Sequence, residues 1–329
     1  MIGIWGVGTL PEHRGSGMAS GAVGQLMHEA RDAGTPLSAL FPAMLRPYRG
    51  LGYELAGTFM EHHVLLDDLP RGGSGPLPVE EYVADRDLEG VRACYRRAVE
   101  NDNGPIDSEE PFWWQRVMGR RTPNEHLRAV VARALDGSVA GYASFVHEKD
   151  EGGDIPGIAF RLTCRHFVSS SLEATASLLG YFRGFRGLGY RLRFTGPPAH
   201  PLAMIVEEQK VKPAWRFHWM LRLLDVPAAL TARGYQPVTG EAVIAVEDGM
   251  FPANRGPWRV VAKEGSVEVA PADDARVRPI PVGTLASMYS GFLSPFDAAR
   301  LGLVDDDDPA VPFLARLFAG PPAYLYDFF

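Results

Sequence analysis

The stretch Gly6-Val7-Gly8-Thr9-Leu10-Pro11-Glu12-His13-Arg14-Gly15-Ser16-Gly17-Met18-Ala19 holds the residues best suited to chemistry. It reads as a short apolar strand, a turn rich in glycine and basic residues, and the first turn of a helix. A helix start leaves backbone N–H groups unbonded, and its dipole favours negative charge. Arg14 adds a formal charge, while Gly15 and Gly17 let the backbone come close to a ligand. The natural occupant is a pyrophosphate; the bland alternative is an exposed strand–helix turn. His13, in the same turn, either touches a phosphate or caps the helix.

Other titratable groups carry less. His62 and His63 alternate along a predicted strand with no further ligand pattern, so no metal site is expected. The run Asp305-Asp306-Asp307-Asp308 lacks the alternation of a calcium loop and reads as a solvated turn. Cys94 and Cys164 have neither a CxxC nor a nucleophile context. Phe112, Trp113 and Trp114 read as core or interface residues, with an entrance for substrate as the alternative.

The elements that must position these residues follow from periodicity. A buried strand is predicted over 2–9 and a helix over 20–33, where Val23, Leu26, Met27 and Ala30 recur at helical spacing and Gly34 stops it. Strands are predicted at 37–41 and 59–66, with a helix end turning into a strand over 48–54. The stretch 71–78, Arg-Gly-Gly-Ser-Gly-Pro-Leu-Pro, is the clearest linker. Helices are predicted at 87–100, 109–119 and 170–185. Strands are predicted at 127–134 and 138–145, joined by the hairpin signal Asp136-Gly137, and at 190–195. A third block begins near Trp215, with strands at 219–224, 242–246, 258–262 and 266–269, a short helix from Val226, and another over 282–290. The pentapeptide Arg-Gly-Leu-Gly-Tyr occurs at 49–53 and 186–190, but its flanks align poorly, as loop glycines recur easily.

Composition bounds the answer further. The 329 residues suggest two or three domains. A net charge of −7 disfavours nucleic acid or an anionic membrane as the main partner. Two cysteines suggest a reducing cytoplasm rather than a disulfide framework. The N-terminus lacks a signal-peptide pattern, and no apolar run has the length of a membrane span.

Three separated patterns carry a family resemblance: Val7-x-Thr9-x-Pro11-Glu12-x-Arg14-Gly15-x-Gly17; Leu40-Phe41-Pro42 followed by Tyr48-Arg49-x-x-Gly52-Tyr53-Glu54; and Leu221-Arg222-x-x-Asp225-Val226-x-Ala228-Ala229-Leu230-x-x-Arg233-Gly234-Tyr235. Together they resemble the enhanced intracellular survival (Eis) family of GNAT acetyltransferases. The resemblance implies an α+β chain: a partial acetyl-CoA-binding GNAT domain over 1–72, a degenerate GNAT-like domain over 73–215, and a sterol-carrier-protein-like domain over 216–329. The strands and two helices that precede the acetyl-CoA strand in the family, part of its amine pocket, have no counterpart here, so the first GNAT domain is expected to be shortened.

By that resemblance the chain is an acetyl-CoA-dependent N-acetyltransferase acting on a small-molecule or protein amine. Val7, Thr9, Arg14, Gly15, Gly17 and Ala19 would hold the coenzyme, with backbone N–H groups of the 4–9 strand on the thioester carbonyl. Tyr48 takes the place of the general acid, and the C-terminal carboxylate of Phe329 that of the base; Tyr53 packs. A free α-carboxyl has a pKa of roughly 3.3–3.7 and needs desolvation to act as a base. The apolar end Tyr324-Leu325-Tyr326-Asp327-Phe328-Phe329 suits docking rather than fraying. Homo-oligomers, hexamers in the family, are implied. The alternative reading is a catalytically impaired CoA- or lipid-binding assembly protein lacking the amine pocket.

Overall fold

The computed structural model describes residues 1–70, 75–107, 111–119, 126–150, 159–273 and 278–328. In chain order the elements are β1 (Ile2–Ile4), α1 (Met18–Asp32), β2 (Leu37–Leu40), α2 (Leu45–Arg49), β3 (Glu54–Leu65), β4 (Val79–Glu81), α3 (Ala84–Val99), α4 (Pro111–Met118), β5 (Leu127–Arg133), β6 (Val139–Lys149), β7 (Phe160–Ser169), α5 (Leu172–Arg183) and β8 (Gly189–Thr195). There follow β9 (Lys212–Leu223), α6 (Val226–Ala232), β10 (Gly240–Ile244), β11 (Val246–Glu247), β12 (Trp258–Lys263), β13 (Ser266–Pro271), β14 (Ile280–Pro281), α7 (Val282–Tyr289), α8 (Pro295–Arg300), α9 (Val311–Leu317) and β15 (Tyr324–Leu325). They group into two compact units, one of residues 1–58 and 218–323 with Phe328, the other of residues 59–217 and 324–327.

In the first unit β1 lies parallel to β2, from Ile2 opposite Ser38 to Ile4 opposite Leu40, and β2 pairs antiparallel with the end of β9. Val23, Met27 and Ala30 of α1 meet Ile4, Leu40, Tyr53, Met220, Leu224 and Phe251 in one core. Each fully buried apolar side chain there contributes roughly 1.5–3 kcal/mol. The expected strand over 2–9 is shorter than predicted. Pairing stops at Ile4, because Phe41-Pro42 ends β2 and proline has no N–H to offer; Trp5 is 79% exposed. Beyond β9, strands β10, β12 and β13 form an antiparallel sheet, and β11 pairs parallel with β14.

In the second unit β3, β8, β7, β6, β5 and β4 lie side by side, parallel only at β7–β8. Alternation sends neighbouring residues to opposite faces. Val131, Tyr142 and Val168 face α3 and α4, while Ala132, Ala143 and Phe167 face α5. Trp114 is buried in the first of these cores. Strand β7 is absent from the sequence expectation because Arg161, Arg165 and His166 interrupt its apolar pattern. Their polar atoms are satisfied: Arg161 by Glu148, Arg165 by the carbonyls of Arg116 and Gly119, His166 by Tyr142 and Asp327. The tail docks in this unit. The Tyr324 N–H donates to the Asn103 carbonyl at 3.0 Å, and its hydroxyl to Asp102 at 2.6 Å.

The repeated pentapeptide adopts two different backbones. Gly52 has φ +82°, whereas Gly189 opens β8 without a positive φ. The acidic run also differs from expectation: Asp308 is buried and its carboxylate caps the Ala310 N–H at 2.8 Å, with burial raising its pKa.

Candidate active site

A cleft of about 1050 Å³ opens in the first unit where β1 and β2 stop pairing. One wall is the chain from Val7 to Ser20; the other is Ala43, Met44, Arg46, Pro47, Tyr48, Gly50 and Leu51. The cleft thus gathers Val7, Thr9, Arg14, Gly15, Gly17, Ala19 and Tyr48, which stand up to 41 positions apart in the sequence. Phe329 lies outside the described residues. Its neighbour Phe328 packs its ring on Phe41, just past the end of β2, with centroids 4.3 Å apart.

The floor of the first wall is a helix start. Gly17 caps α1 with φ +82° and ψ −1°; no side chain accepts from the first N–H groups, and no acid occupies the first turn. The first backbone bond closing the helix runs from the Gly21 N–H to the Gly17 carbonyl at 2.8 Å. The N–H groups of Met18, Ala19 and Ser20 therefore have no partner within the helix. An added Cβ on Gly15 or Gly17 would meet nothing within 4 Å, so both positions need glycine for their positive φ and not for space. The charged or titratable lining consists of His13, Arg14, Arg46 and the Tyr48 phenol, with no carboxylate among the described residues. His13 does not cap the helix; it closes a short 3-10 turn over Pro11–His13 instead. A dianionic diphosphate fits this combination of unbonded N–H groups, dipole and cations.

On the opposite wall, Tyr48 stands near the end of α2. Its carbonyl accepts from the N–H of Leu51 at 2.9 Å and of Tyr53 at 3.1 Å, and the Gly52 N–H donates to the Arg49 carbonyl at 3.0 Å. This is the Schellman pattern, with Gly52 at its left-handed position. Its usual side-chain contact is present too: the rings of Tyr48 and Tyr53 meet edge-on at 6.1 Å. Tyr53 is buried and bonds Ser38 through its hydroxyl at 2.7 Å. Tyr48 is half-buried, its hydroxyl makes no hydrogen bond among the described residues, and burial raises its pKa above that of a free phenol. At neutral pH the phenol keeps its proton.

The remaining titratable groups divide differently. His62 is buried, paired with the Pro197 carbonyl at 2.9 Å, and burial lowers its pKa. Among the described residues no group of three or more His, Cys, Asp or Glu could hold a metal ion. Cys94 and Cys164 are buried, and burial raises both thiols, Cys94 to about 11. Residue types and spacing gave no hint of Arg222 and Asp248, a fully buried ion pair that reaches the Tyr48 turn. Arg222 was visible only as part of a family pattern, and Asp248 lies 26 positions further on.

Comparison with known proteins bears on the family and the fold. Family models described as acetyltransferase (GNAT) domains match residues 1–56 and 108–223, and one described as a sterol carrier protein domain matches residues 226–326. An uncharacterized N-acetyltransferase of Streptomyces coelicolor is 27% identical over 301 residues, covering 88% of this chain and 71% of its own. N-acetyltransferase Eis of Mycobacterium tuberculosis is 25% identical over 305 residues, covering 88% and 70%. A crystal structure of a GCN5-related N-acetyltransferase from Anabaena variabilis superposes with a TM-score of 0.90 at 26% identity, covering 99% of this chain and 81% of that one. Among the described residues no helix is long and apolar enough to cross a membrane. GNAT enzymes take their acyl group from acetyl-CoA, and tandem GNAT domains followed by a sterol-carrier domain make this chain an acetyltransferase of the Eis-like family.

Proposed function

We propose that the chain transfers an acetyl group from acetyl-CoA directly to a primary amine, without an acyl-enzyme. The observation that supports this reading is the cleft itself: an uncapped helix start, cations with no opposing carboxylate side chain among the described residues, and a phenol on the facing wall with no hydrogen bond among them. When bound, acetyl-CoA supplies the acetyl group as a thioester. Gly15, Gly17 and the N–H groups of Met18 and Ala19 hold the diphosphate, with Arg14 beside them. The N–H groups of Val7 and Thr9 lie beyond the paired part of β1, have no backbone partner among the described residues, and would orient the pantetheine arm and polarise the carbonyl. Tyr48 holds a proton on Oη and gives it to the departing sulfur. The base in this reading is the carboxylate of Phe329, which takes the proton of the attacking amine; its described neighbour Phe328 packs on Phe41, just past the end of β2.

Tyr48→Phe removes the proton and keeps the ring against Tyr53. Thiol release with a panel of amines is expected to fall by about 100-fold or more in kcat, while the acetyl-CoA Kd stays within about twofold. Equal losses in both, or no loss of kcat, would reject Tyr48 as the acid. Tight acetyl-CoA binding with no turnover on any amine would point to a binding protein instead.

A further inference from the structure

The turn that carries Tyr48 is thin. Gly50 and Leu51 line the large cleft on one side and, on the other, a second hollow of about 310 Å³ bounded by residues 49–54, 247–250 and 281–284. With hollows on both sides, packing holds the turn only in part: Tyr48 and Leu51 lie against the α1 core and Gly52 against Val282. What reaches it from within is Arg222. Its Nε donates to the Leu51 carbonyl at 2.9 Å, its Nη1 to the Leu223 carbonyl at 2.6 Å, and its Nη2 to both Asp248 oxygens at 2.8 Å. Asp248 is itself pinned: it accepts from the N–H groups of Met250 and Phe251 and from the Asn254 amide, and Asn254 in turn holds the Val226 N–H. The guanidinium also lies over the Phe251 ring at 5.2 Å. Arg222 is fully buried and Asp248 nearly so. A buried ion pair of this kind adds little net stability over an apolar replacement, so its geometry calls for another account.

We propose that Arg222, oriented by Asp248, is the positioning residue for Tyr48, so that the loop 247–254, within the sterol-carrier match, completes the acetyl-transfer site. The inference rests on the reading of Tyr48 as the general acid. Arg222 holds Leu51; the Leu51 and Tyr53 N–H groups hold the Tyr48 carbonyl; the Tyr53 ring holds the Tyr48 ring. Gly52 packs directly on this device, since a Cβ there would stand 2.8 Å from Arg222 Nε. The turn before α1 makes none of these hydrogen bonds; α1 meets the device only through its packing on Phe251.

The test is a double-mutant cycle on the full chain with Arg222→Lys and Tyr48→Phe, reading kcat and the acetyl-CoA Kd per folded molecule. Lysine keeps the charge but loses the fork and the Leu51 bond. In the wild-type background Arg222→Lys is expected to lower kcat by about 10- to 100-fold, the effect of an ångström-scale displacement, with Kd within about twofold. In the Tyr48→Phe background it is expected to cost nothing further. The same factor in both backgrounds, or no loss in the first, overturns the proposal. If Tyr48→Phe alone leaves kcat intact, the reading of Tyr48 fails and not only this inference. Should Arg222→Lys not fold, Gly52→Ala, whose Cβ would press on Arg222 Nε, disturbs the same contact from the turn's side and enters the same cycle with the same two outcomes.

Discussion

Replacing Gly17 by alanine isolates what the backbone of the coenzyme turn contributes. The residue sits at φ +82°, ψ −1°, and an added Cβ meets no atom within 4 Å. The substitution therefore has no steric component in the free protein; its whole cost is that of holding an L-residue in the left-handed region, about 1–2 kcal/mol. If the protein keeps the turn, stability falls by that amount. If the turn relaxes, the first N–H groups of α1 rotate away and coenzyme binding weakens by a comparable amount, about 5- to 30-fold in Kd. Calorimetric titration with CoA and thermal melting, run together, capture both routes. Gly17→Asn should recover most of the loss, because asparagine tolerates this backbone. Gly21→Ala is the control of opposite sign. Gly21 is an exposed interior residue of α1 with an ordinary φ and open space, so alanine there should add about 0.5–1 kcal/mol of stability and leave Kd unchanged. If Gly17→Ala matches wild type in both measurements, the turn is not held as described. If Gly17→Asn binds CoA as poorly as Gly17→Ala while both melt like wild type, side-chain bulk in the cleft is responsible and the backbone argument is wrong.

Arg14→Ala and Arg46→Ala should each weaken CoA binding by about fivefold, near 1 kcal/mol for an exposed cation. The salt dependence of Kd should flatten in both; an unchanged salt dependence would remove these residues from the diphosphate contact. His200 in the second unit predicts an acid-labile fold. Its ring lies edge-on to Phe194 and His62, and burial, followed by repulsion from His62, pulls its pKa down to about 3. Below about pH 6.5 the unfolded chain binds a proton that the folded chain refuses. Stability is thus lost as pH falls from there toward 3, by at most about 1.4 kcal/mol per pH unit. Urea melts at pH 7.0, 5.5 and 4.5 should show the slope. His200→Asn, which keeps an acceptor for the Leu202 N–H, should reduce it, and an identical slope in the variant would refute the assignment.

The parts of this site that could be read from sequence are the local ones. The diphosphate turn is contiguous, so glycine spacing, Arg14 and the onset of helical periodicity all fall in one window. The Tyr48–Tyr53 turn is equally compact, and its glycine is where a left-handed residue must be. Reading failed where geometry is decided by distant partners. The strand over 2–9 was overread because nothing in those residues says that Pro42 ends the pairing of the neighbouring strand. Strand β7 was hidden by Arg161, Arg165 and His166, whose partners lie at residues 148, 116, 119, 142 and 327. Helices α8 and α9 are short, six and seven residues, too brief for periodicity to stand out.

The same division bears on how the enzyme can fail. The wall proposed to receive the diphosphate depends on the residues from Val7 to Ser20 and on the packing of α1 through Val23, Met27 and Ala30 on a core that includes Phe251. The wall that presents the phenol depends on Leu51, then on Arg222, then on Asp248 and Asn254, residues drawn from β9 and from the region that matches a sterol carrier domain. Damage to the first wall should therefore appear in coenzyme affinity, and damage to the second in turnover. Conservative substitutions of Asp248 or Asn254 that leave the protein folded are expected to bind CoA normally and transfer acetyl groups slowly, whereas Phe251, which packs on α1, belongs to both walls. An Asp248 or Asn254 variant that changed only coenzyme affinity would contradict that separation.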